Sequence, residues 1–244
     1  ILQMLLLVRS IAGGLLFLVI TFVLSATTIL FATLGFRRAT DFVIRLWGRL
    51  ACLCFGLDVE LTGQHRLPRT ESGFLYVFNH STHLDIVTLY SVLPRIPRFG
   101  AKIELFKIPV FNWAMRAVGT LPIPRSNRAE ALQIYASAQK RVAAGECFIL
   151  APEGTRQPME EIGLFKTGPF IFAINAKMPI VPVLIKGAYS VLPKGRVIPA
   201  SDRWRNRVQV QILEPIDTRH LTLEDRPRVQ AETREIMVNA FAKM

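Results

Sequence analysis

A run of residues without a single charged side chain limits what this chain can fold into more than any other feature. It extends from Ile11 to Phe36, with the sequence IAGGLLFLVITFVLSATTILFATLGF. About 20 apolar residues are enough for a helix to cross a hydrocarbon core of roughly 30 Å, so the run predicts a membrane-embedded helix. A cleaved signal peptide fits less well, because its apolar region is shorter and this chain stays apolar beyond Ala26.

The run is compatible with two arrangements in the membrane. One is a helix that spans the bilayer. The other is a helical hairpin that enters one leaflet, for which Gly13-Gly14 or Ser25–Thr28 would allow a bend. The sequence leaves both open.

Basic residues follow the apolar run in greater number than precede it. This asymmetry predicts that the downstream part of the chain is cytoplasmic, and the three cysteines are expected to be reduced. Lysine and arginine total 30 against 18 acidic residues, a net charge of +12 in a chain that is 51% hydrophobic. Basic and apolar character together favour a membrane surface or a phosphate-bearing substrate. Nucleic-acid binding is not expected, since no motif for it appears.

Residues 37–50 have an amphipathic pattern that allows two interpretations. Apolar residues share one helical face, with Arg45 and Arg49 beside it: Phe42, Val43, Leu46, Trp47 and Leu50. The helix can lie at the level of the lipid headgroups, or it can pack on a domain core. Residues 1–56 are therefore predicted to form membrane-anchoring helices.

Residues 57–244 alternate between short apolar runs and helical patterns, which predicts one α/β domain. The predicted strands are DVELTG, GFLYVFNH, RFGAKIEL, ECFILAPEG, PIVPVLIKG and RVQVQILEP. Helices are predicted at about 83–93, 107–118, 126–143, 166–176 and 224–243, with Ser126 as an N-cap. The expected fold is a mixed, largely parallel sheet flanked by helices, behind an N-terminal membrane-embedded segment.

The segment FNHSTHLD follows one of these strands and carries two of the four histidines. If His80 ends the strand and Asp85 lies in the first turn of the next helix, the two side chains can meet. A carboxylate in that position fixes the imidazole tautomer and leaves the other ring nitrogen as a general base. His83 is only two residues from Asp85 and would point elsewhere on a helix. Without other evidence, the histidines can equally be surface residues beside a helix cap.

Two further strand ends carry polar residues. APEGTR places Glu153, Thr155 and Arg156 around Gly154, and such a turn suits a phosphate or a substrate hydroxyl. GTLPIPR ends in Arg125. No serine or cysteine nucleophile is evident, so a substrate hydroxyl is the expected nucleophile, and the basic residues suggest that this substrate carries a phosphate.

Taken in order, these segments resemble the motifs of the 1-acylglycerol-3-phosphate acyltransferases, the PlsC-type branch of the glycerolipid acyltransferases. The matching segments, which cover most of residues 57–215, are NHSTHLD, KIELFKIPVFNW, GTLPIPR, LAPEGTR with FKTG, and IVPVLI. Two departures stand out. Pro124 precedes Arg125 where the family usually has an acid, and Ala151 replaces the usual phenylalanine before Pro152.

The resemblance implies a glycerolphosphate-acyltransferase-like fold and the transfer of an acyl chain from acyl-CoA or acyl-carrier protein to the sn-2 hydroxyl of lysophosphatidic acid, giving phosphatidic acid. His80 would deprotonate that hydroxyl, and Asp85 would orient His80. The matched positions implied to bind the glycerol phosphate are Lys102, Arg125, Glu153, Gly154, Thr155 and Arg156. Neither a metal nor a cofactor is expected, and the expected partners are the lysolipid, the thioester donor and the membrane.

The change at Pro124 leaves the acceptor open, because it lies beside the arginine implied to contact the phosphate. Another lysolipid is an alternative acceptor. A thioesterase or lysolipase, which passes the acyl group to water, is an alternative activity, and a non-catalytic membrane-binding protein with an acyltransferase fold is a third.

Overall fold

Two N-terminal helices precede a seven-stranded sheet with helices on both faces in the computed structural model. The structure describes residues 2–108, 111–124, 126–196, 198–199 and 203–244. The predicted mixed, largely parallel sheet flanked by helices is confirmed.

The chain begins with a helical hairpin. Helix α1 (Leu2–Thr33) is continuous, and its segment Gln3–Thr33 has the length and hydropathy of a membrane-crossing helix. It turns at residues 34–36 into the antiparallel α2 (Arg37–Phe55). The chain does not bend at Gly13. A Cβ on Gly13 would lie 2.3 Å from the carbonyl oxygen of Cys54, so this glycine allows α1 and α2 to approach closely.

Helix α2 packs on the domain core, as the second interpretation of its pattern proposed. Val43 and Ile44 are buried, whereas Phe42 on the predicted apolar face is 65% exposed. A Cβ on Gly48 would lie 2.7 Å from the backbone nitrogen of Ser91 in the next helix of the domain, so the two backbones are in close contact. The division into an anchor of residues 1–56 and a domain of residues 57–244 stays a prediction.

The strands of the sheet are β1 (Leu57–Thr62), β2 (Leu75–Phe78), β3 (Arg98–Lys102), β4 (Leu121–Ile123), β5 (Phe148–Leu150), β6 (Ile180–Lys186) and β7 (Asn206–Ile212). Their order across the sheet is β1-β7-β6-β2-β5-β3-β4. Neighbouring strands are parallel except β6 and β7, which are antiparallel. The carboxyl ends of β2, β5, β6 and β3 therefore meet at one edge of the sheet.

The helices after α2 are α3 (Leu84–Val92), α4 (Phe111–Ala117), α5 (Arg128–Ala143), α6 (Gly168–Asn175), α7 (Ala188–Val191) and α8 (Arg226–Phe241). Side chains that alternate along the central strand β2, together with Phe74 just before it, are buried in two separate cores. Phe74, Tyr76 and Phe78 pack with residues of α2 and of α3 on one face, and Leu75 and Val77 pack with α5, α6 and α8 on the other. Short 3-10 helices occupy Gln64–Arg66, Ile103–Lys107 and Leu223–Asp225.

Two element boundaries differ from the prediction. Helix α5 is capped by Asn127, whose side-chain oxygen accepts a hydrogen bond from the backbone N–H of Glu130, and not by Ser126. An asparagine at the cap satisfies one of the free N–H groups of the first turn as well as a serine would. The helix predicted at about 107–118 begins at Phe111 as α4 and follows a separate 3-10 helix.

Candidate active site

The site lies where β2 and β5 end, because these strands are parallel neighbours in the sheet. The segments NHSTHLD and APEGTR leave their strands side by side at that edge. Asn79 fixes the first segment to β6 on the other side. Its side-chain NH₂ donates to the carbonyl oxygen of Ile185 over 2.9 Å, and its side-chain oxygen accepts from the N–H of Ile185 over 2.8 Å. The amide thus continues the hydrogen bonding of the sheet beyond the end of β2.

His80 and Asp85 meet as the fold-back of the chain predicted. His80 Nδ1 lies 2.9 Å from Asp85 Oδ2, and the same oxygen accepts hydrogen bonds from the backbone N–H groups of Ser81 and Thr82. Asp85 is fully buried at the start of α3. Oδ2 accepts from two backbone donors and acts as an acceptor toward the ring as well, so Nδ1 is the ring nitrogen that carries a proton and donates the hydrogen bond to Oδ2. Nε2 is left as the acceptor of the ring.

The environment of Asp85 explains its position. A carboxylate in the first turn of a helix is stabilised by the free N–H groups there. Here the two N–H groups that precede α3 converge on it. The backbone of the loop therefore holds the carboxylate, and the imidazole of His80 contacts the same carboxylate oxygen.

His83, which the spacing argument set aside as a partner of Asp85, lines the same cavity as His80. Burial lowers the pKa of His83, and the charges of Arg156 and His80 lower it further. The lowered pKa favours the neutral ring, which can form hydrogen bonds in the cavity. His83 is the N-cap residue of α3 and makes no side-chain hydrogen bond to the helix.

Glu153, which the family resemblance implies as a substrate-binding residue, is buried in the protein. It is 2% exposed and does not line the cavity. Its oxygens accept hydrogen bonds from the backbone N–H of His80 and of Gly163 and from the side-chain NH₂ of Gln157. Burial raises its pKa to about 7, against the effect of these hydrogen bonds. The substrate contact that the resemblance implies for Glu153 stays a prediction.

The other residues of the APEGTR turn divide between shaping the turn and lining the cavity. Gly154 has a positive φ of 72°, and its N–H donates to the carbonyl oxygen of Ala151 over 3.1 Å, which closes the turn. Thr155 and Arg156 line the cavity. Lys194, which the sequence did not single out, also lines it and donates to the backbone carbonyl of Arg156 over 2.7 Å.

The cavity has a volume of about 580 Å³ and is lined by both polar and apolar residues. Its polar residues are His80, His83, Lys102, Thr155, Arg156 and Lys194. Its apolar lining includes Phe17 and Leu24 from α1, Trp47 from α2, Phe99 from β3 and Met115 from α4. Four predicted site residues thus share one cavity: His80, Lys102, Thr155 and Arg156. Arg125 lies outside the described residues.

Lys102 is paired with an acidic side chain. Its Nζ lies 3.5 Å from Glu104 Oε1, and both side chains are about half exposed. Within the described part of the chain, no group of three or more His, Cys, Asp or Glu side chains is arranged to hold a metal ion.

Comparison with known proteins gives the family. A sequence model of the acyltransferase family matches residues 58–186, a little more than half of the chain. The chain belongs to the acyltransferase family. This confirms the resemblance found in the motifs, and the matched region contains the His80–Asp85 pair and the APEGTR turn.

Individual relatives agree with the family assignment. The chain is 32% identical over 208 residues to a 1-acyl-sn-glycerol-3-phosphate acyltransferase of Haemophilus influenzae, which covers 83% of this chain and 81% of that protein. It is 31% identical over 159 residues to a chloroplast 1-acyl-sn-glycerol-3-phosphate acyltransferase of Brassica napus. That match covers 65% of this chain and 46% of the plant protein, so the chain spans a little under half the length of this relative.

A solved structure extends the similarity to almost the whole chain. The crystal structure of the 1-acyl-sn-glycerophosphate acyltransferase PlsC from Thermotoga maritima superposes with a TM-score of 0.79 at 25% identity. The superposition covers 99% of this chain and 95% of that one. The similarity therefore includes the N-terminal helical hairpin as well as the sheet.

Proposed function

We propose that this acyltransferase moves an acyl chain from an acyl thioester to the free sn-2 hydroxyl of lysophosphatidic acid, giving phosphatidic acid, with His80 as the general base. The observation that carries the proposal is the position of His80. Its ring is held by Asp85 at 2.9 Å, and His80 lines a cavity whose other lining residues include both cations and apolar side chains. The names of the relatives give the same substrate class.

The proposed reaction uses the free ring nitrogen. Nε2 of His80 accepts the proton of the acceptor hydroxyl as its oxygen attacks the thioester carbonyl. The tetrahedral oxyanion that forms then collapses, the C–S bond breaks, and the thiolate leaves with the proton returned from the imidazolium. Asp85 stabilises the imidazolium while it carries that proton. The donor is acyl-CoA or acyl-carrier protein.

The polar and the apolar residues of the cavity suit different parts of the substrates. Arg156, Lys194 and Lys102 provide positive charge for the phosphate of the acceptor, and His83 provides a hydrogen-bonding group close to His80. The apolar part between α1, α2 and α4 has the character that an acyl chain requires. Because α1 helps to line it, the cavity lies next to the helix that enters the membrane.

The contacts of α1 favour insertion into one leaflet. Its Arg9 stacks on Trp204 at 5.0 Å, Thr21 accepts a hydrogen bond from Trp47, and Thr28 lines the cavity. At 1.5 Å per residue, the stretch from Arg9 to Thr28 that touches the domain is roughly 29 Å long. A spanning orientation would carry polar parts of the domain into the hydrocarbon. An in-plane helix instead gives its exposed apolar face to the lipid.

That lipid-facing side of α1 is strongly apolar. Leu15, Leu18 and Phe22 are each more than 60% exposed and follow one another at helical spacing. The excess of basic residues after α1, together with three cysteines that are free, supports a domain on the cytoplasmic face.

The decisive experiment offers the purified protein in detergent a panel of lysolipids with acyl-CoA and, separately, with acyl-carrier protein, and resolves the products by mass. Phosphatidic acid formed from lysophosphatidic acid supports the proposal. Free fatty acid without a lipid product would instead indicate a thioesterase or lysolipase, and another diacyl lipid would indicate a different acceptor.

The same assay tests His80. His80→Ala is expected to lower kcat by about 10²–10⁴-fold, the usual contribution of a general base. His220→Ala, a change at an exposed histidine outside the cavity, is the matched control and is expected to be silent. Retained transfer by His80→Ala, with membrane association intact in both variants, would overturn the mechanism.

A further inference from the structure

Glu153 is a buried carboxyl group whose partners all belong to the protein. Its Oε2 lies 3.3 Å from the backbone nitrogen of His80 and 3.2 Å from Nε2 of Gln157, and its Oε1 lies 3.3 Å from the backbone nitrogen of Gly163. The side chain is 2% exposed. Burying a carboxyl group is costly unless hydrogen-bond donors surround it. These three hydrogen bonds from the protein offset the cost of burying Glu153.

The same turn also holds the other side of the His80 main chain. The backbone N–H of Gln157 donates to the carbonyl oxygen of His80 over 2.8 Å. The N–H of His80 is thus held by Glu153 and its C=O by Gln157. The backbone hydrogen bonds between the strands do not hold His80, because β2 ends at Phe78.

Contact with the substrate does not account for this arrangement. Thr155 and Arg156 line the cavity, whereas Glu153 in the same turn does not. Its oxygens already accept hydrogen bonds from three protein donors. A carboxylate would also repel the phosphate that the neighbouring cations suit.

We propose that Glu153 is a positioning residue, which holds the main chain of His80 so that the free ring nitrogen faces the cavity. The inference rests on the proposed role of His80 as the base, and it changes the role that the family resemblance implies for Glu153. Asp85 sets the rotation and tautomer of the ring, and Glu153 with Gln157 sets the backbone from which the ring projects. Both are needed because a displacement of about 1 Å at a reacting group can cost about 10²-fold in rate.

The kinetic test compares Glu153→Ala and Glu153→Gln in the full chain in detergent. Positioning predicts that Glu153→Ala lowers kcat by about 10–100-fold while KM for lysophosphatidic acid stays close to the wild-type value. Glu153→Gln keeps an oxygen that can accept from His80, so a smaller loss of kcat is expected. A rise in KM with an unchanged kcat in either variant would mean direct substrate binding and would overturn the proposal.

A change on the same loop gives the matched control. Glu160 accepts a hydrogen bond from the backbone N–H of Gly187 and does not touch His80. Glu160→Gln makes the same chemical change as Glu153→Gln and is expected to keep the wild-type kcat. An equal loss of kcat in both variants would point to general loosening of the loop and count against the proposal.

A spectroscopic readout separates this inference from the proposed function. The chain has four histidines, so ¹⁵N-histidine labelling gives a spectrum in which His80 is assigned by His80→Ala. The wild-type ring is expected to show the signature of a single Nδ1-protonated tautomer. In Glu153→Ala the displaced backbone of His80 should weaken the contact between Nδ1 and Asp85, so an average of the two tautomers is expected. An unaltered His80 signal in Glu153→Ala would overturn the positioning role even if the protein transferred no acyl group. Absence of acyl transfer by the wild type would overturn the proposed function alone.

Discussion

Asp85 Oδ2 lies 2.9 Å from His80 Nδ1 and at the same time accepts the backbone N–H groups of Ser81 and Thr82 over 2.8 and 2.9 Å. The carboxylate is therefore fixed by the main chain of its own loop. It cannot follow the imidazole if the ring moves, so the ring adopts the orientation that the loop dictates. A base that is pre-oriented in this way loses little freedom when the substrate binds.

Asp85→Asn tests what the charge of this carboxylate does. The amide oxygen can still accept from the Ser81 and Thr82 N–H groups, so the loop should keep its shape. The neutral amide cannot stabilise an imidazolium, and we expect kcat to fall by about 10²–10⁴-fold. Steady-state kinetics together with a melting curve check this. A kcat like that of the wild type, in a variant of unchanged Tm, would show that the charge plays no part in the transfer.

The pairing of His80 with Asp85 can be predicted from the sequence because it depends on residues that are close together in the chain. An apolar strand that runs into NHSTHLD, with Asp85 five residues after His80, allows the two side chains to meet once a helix starts at Leu84. The end of β5 joins this loop because parallel strands end at the same edge. The order of strands and helices was predicted for the same reason, since it depends on hydrophobic period.

Other parts of the site depend on contacts between distant segments, which one sequence does not specify. Lys194 reaches the carbonyl of Arg156 from 38 residues away, and Gly13 meets Cys54 across a helix pair. The inward direction of Glu153 depends on the dihedral angles of its turn. The motif indicates that a carboxylate is present, but not whether it faces the substrate or the protein.

Arg156→Gln tests the contact with the phosphate. Charge-assisted hydrogen bonds contribute about 1.5–3 kcal/mol, so KM for lysophosphatidic acid should rise by roughly 10-fold or more, with a smaller effect on kcat. A monoacylglycerol, which has no phosphate, should not lose affinity in the variant. Arg219→Gln, at a surface arginine paired with Asp217, serves as the control. Equal losses of affinity for both lipids would place the phosphate elsewhere.

The raised pKa of Glu153 predicts how stability depends on pH. Burial raises this pKa from an ordinary 4.5 to about 7, so between these values the folded protein holds a proton that the unfolded chain has released. Stabilisation by this group is complete below about pH 4.5 and is lost as the pH rises through about 7. At 1.36 kcal/mol per pKa unit, the protonated group contributes about 3 kcal/mol to the free energy of unfolding at low pH.

Glu153→Gln isolates that contribution because glutamine does not titrate. The difference in Tm, wild type minus variant, should decrease as the pH is raised from about 5 to about 8, measured in detergent. The effects of the other titrating groups on Tm are shared by both proteins and cancel in the difference. A difference that increased over this range would mean that the folded state favours the ionised carboxylate.

Alanine substitutions at two adjacent glycines of α1 test how closely α1 and α2 pack. A Cβ on Gly13 would lie 2.3 Å from the carbonyl oxygen of Cys54, whereas a Cβ on Gly14 would meet nothing within 4 Å. Gly13→Ala must therefore push α1 from α2, at a cost of about 1–3 kcal/mol, and Gly14→Ala should gain up to about 1 kcal/mol from helix propensity. Because α1 contributes Phe17 and Leu24 to the cavity, Gly13→Ala should also slow acyl transfer. Melting and transfer assays on both variants check this, and equal behaviour of the two would contradict the close contact between α1 and α2.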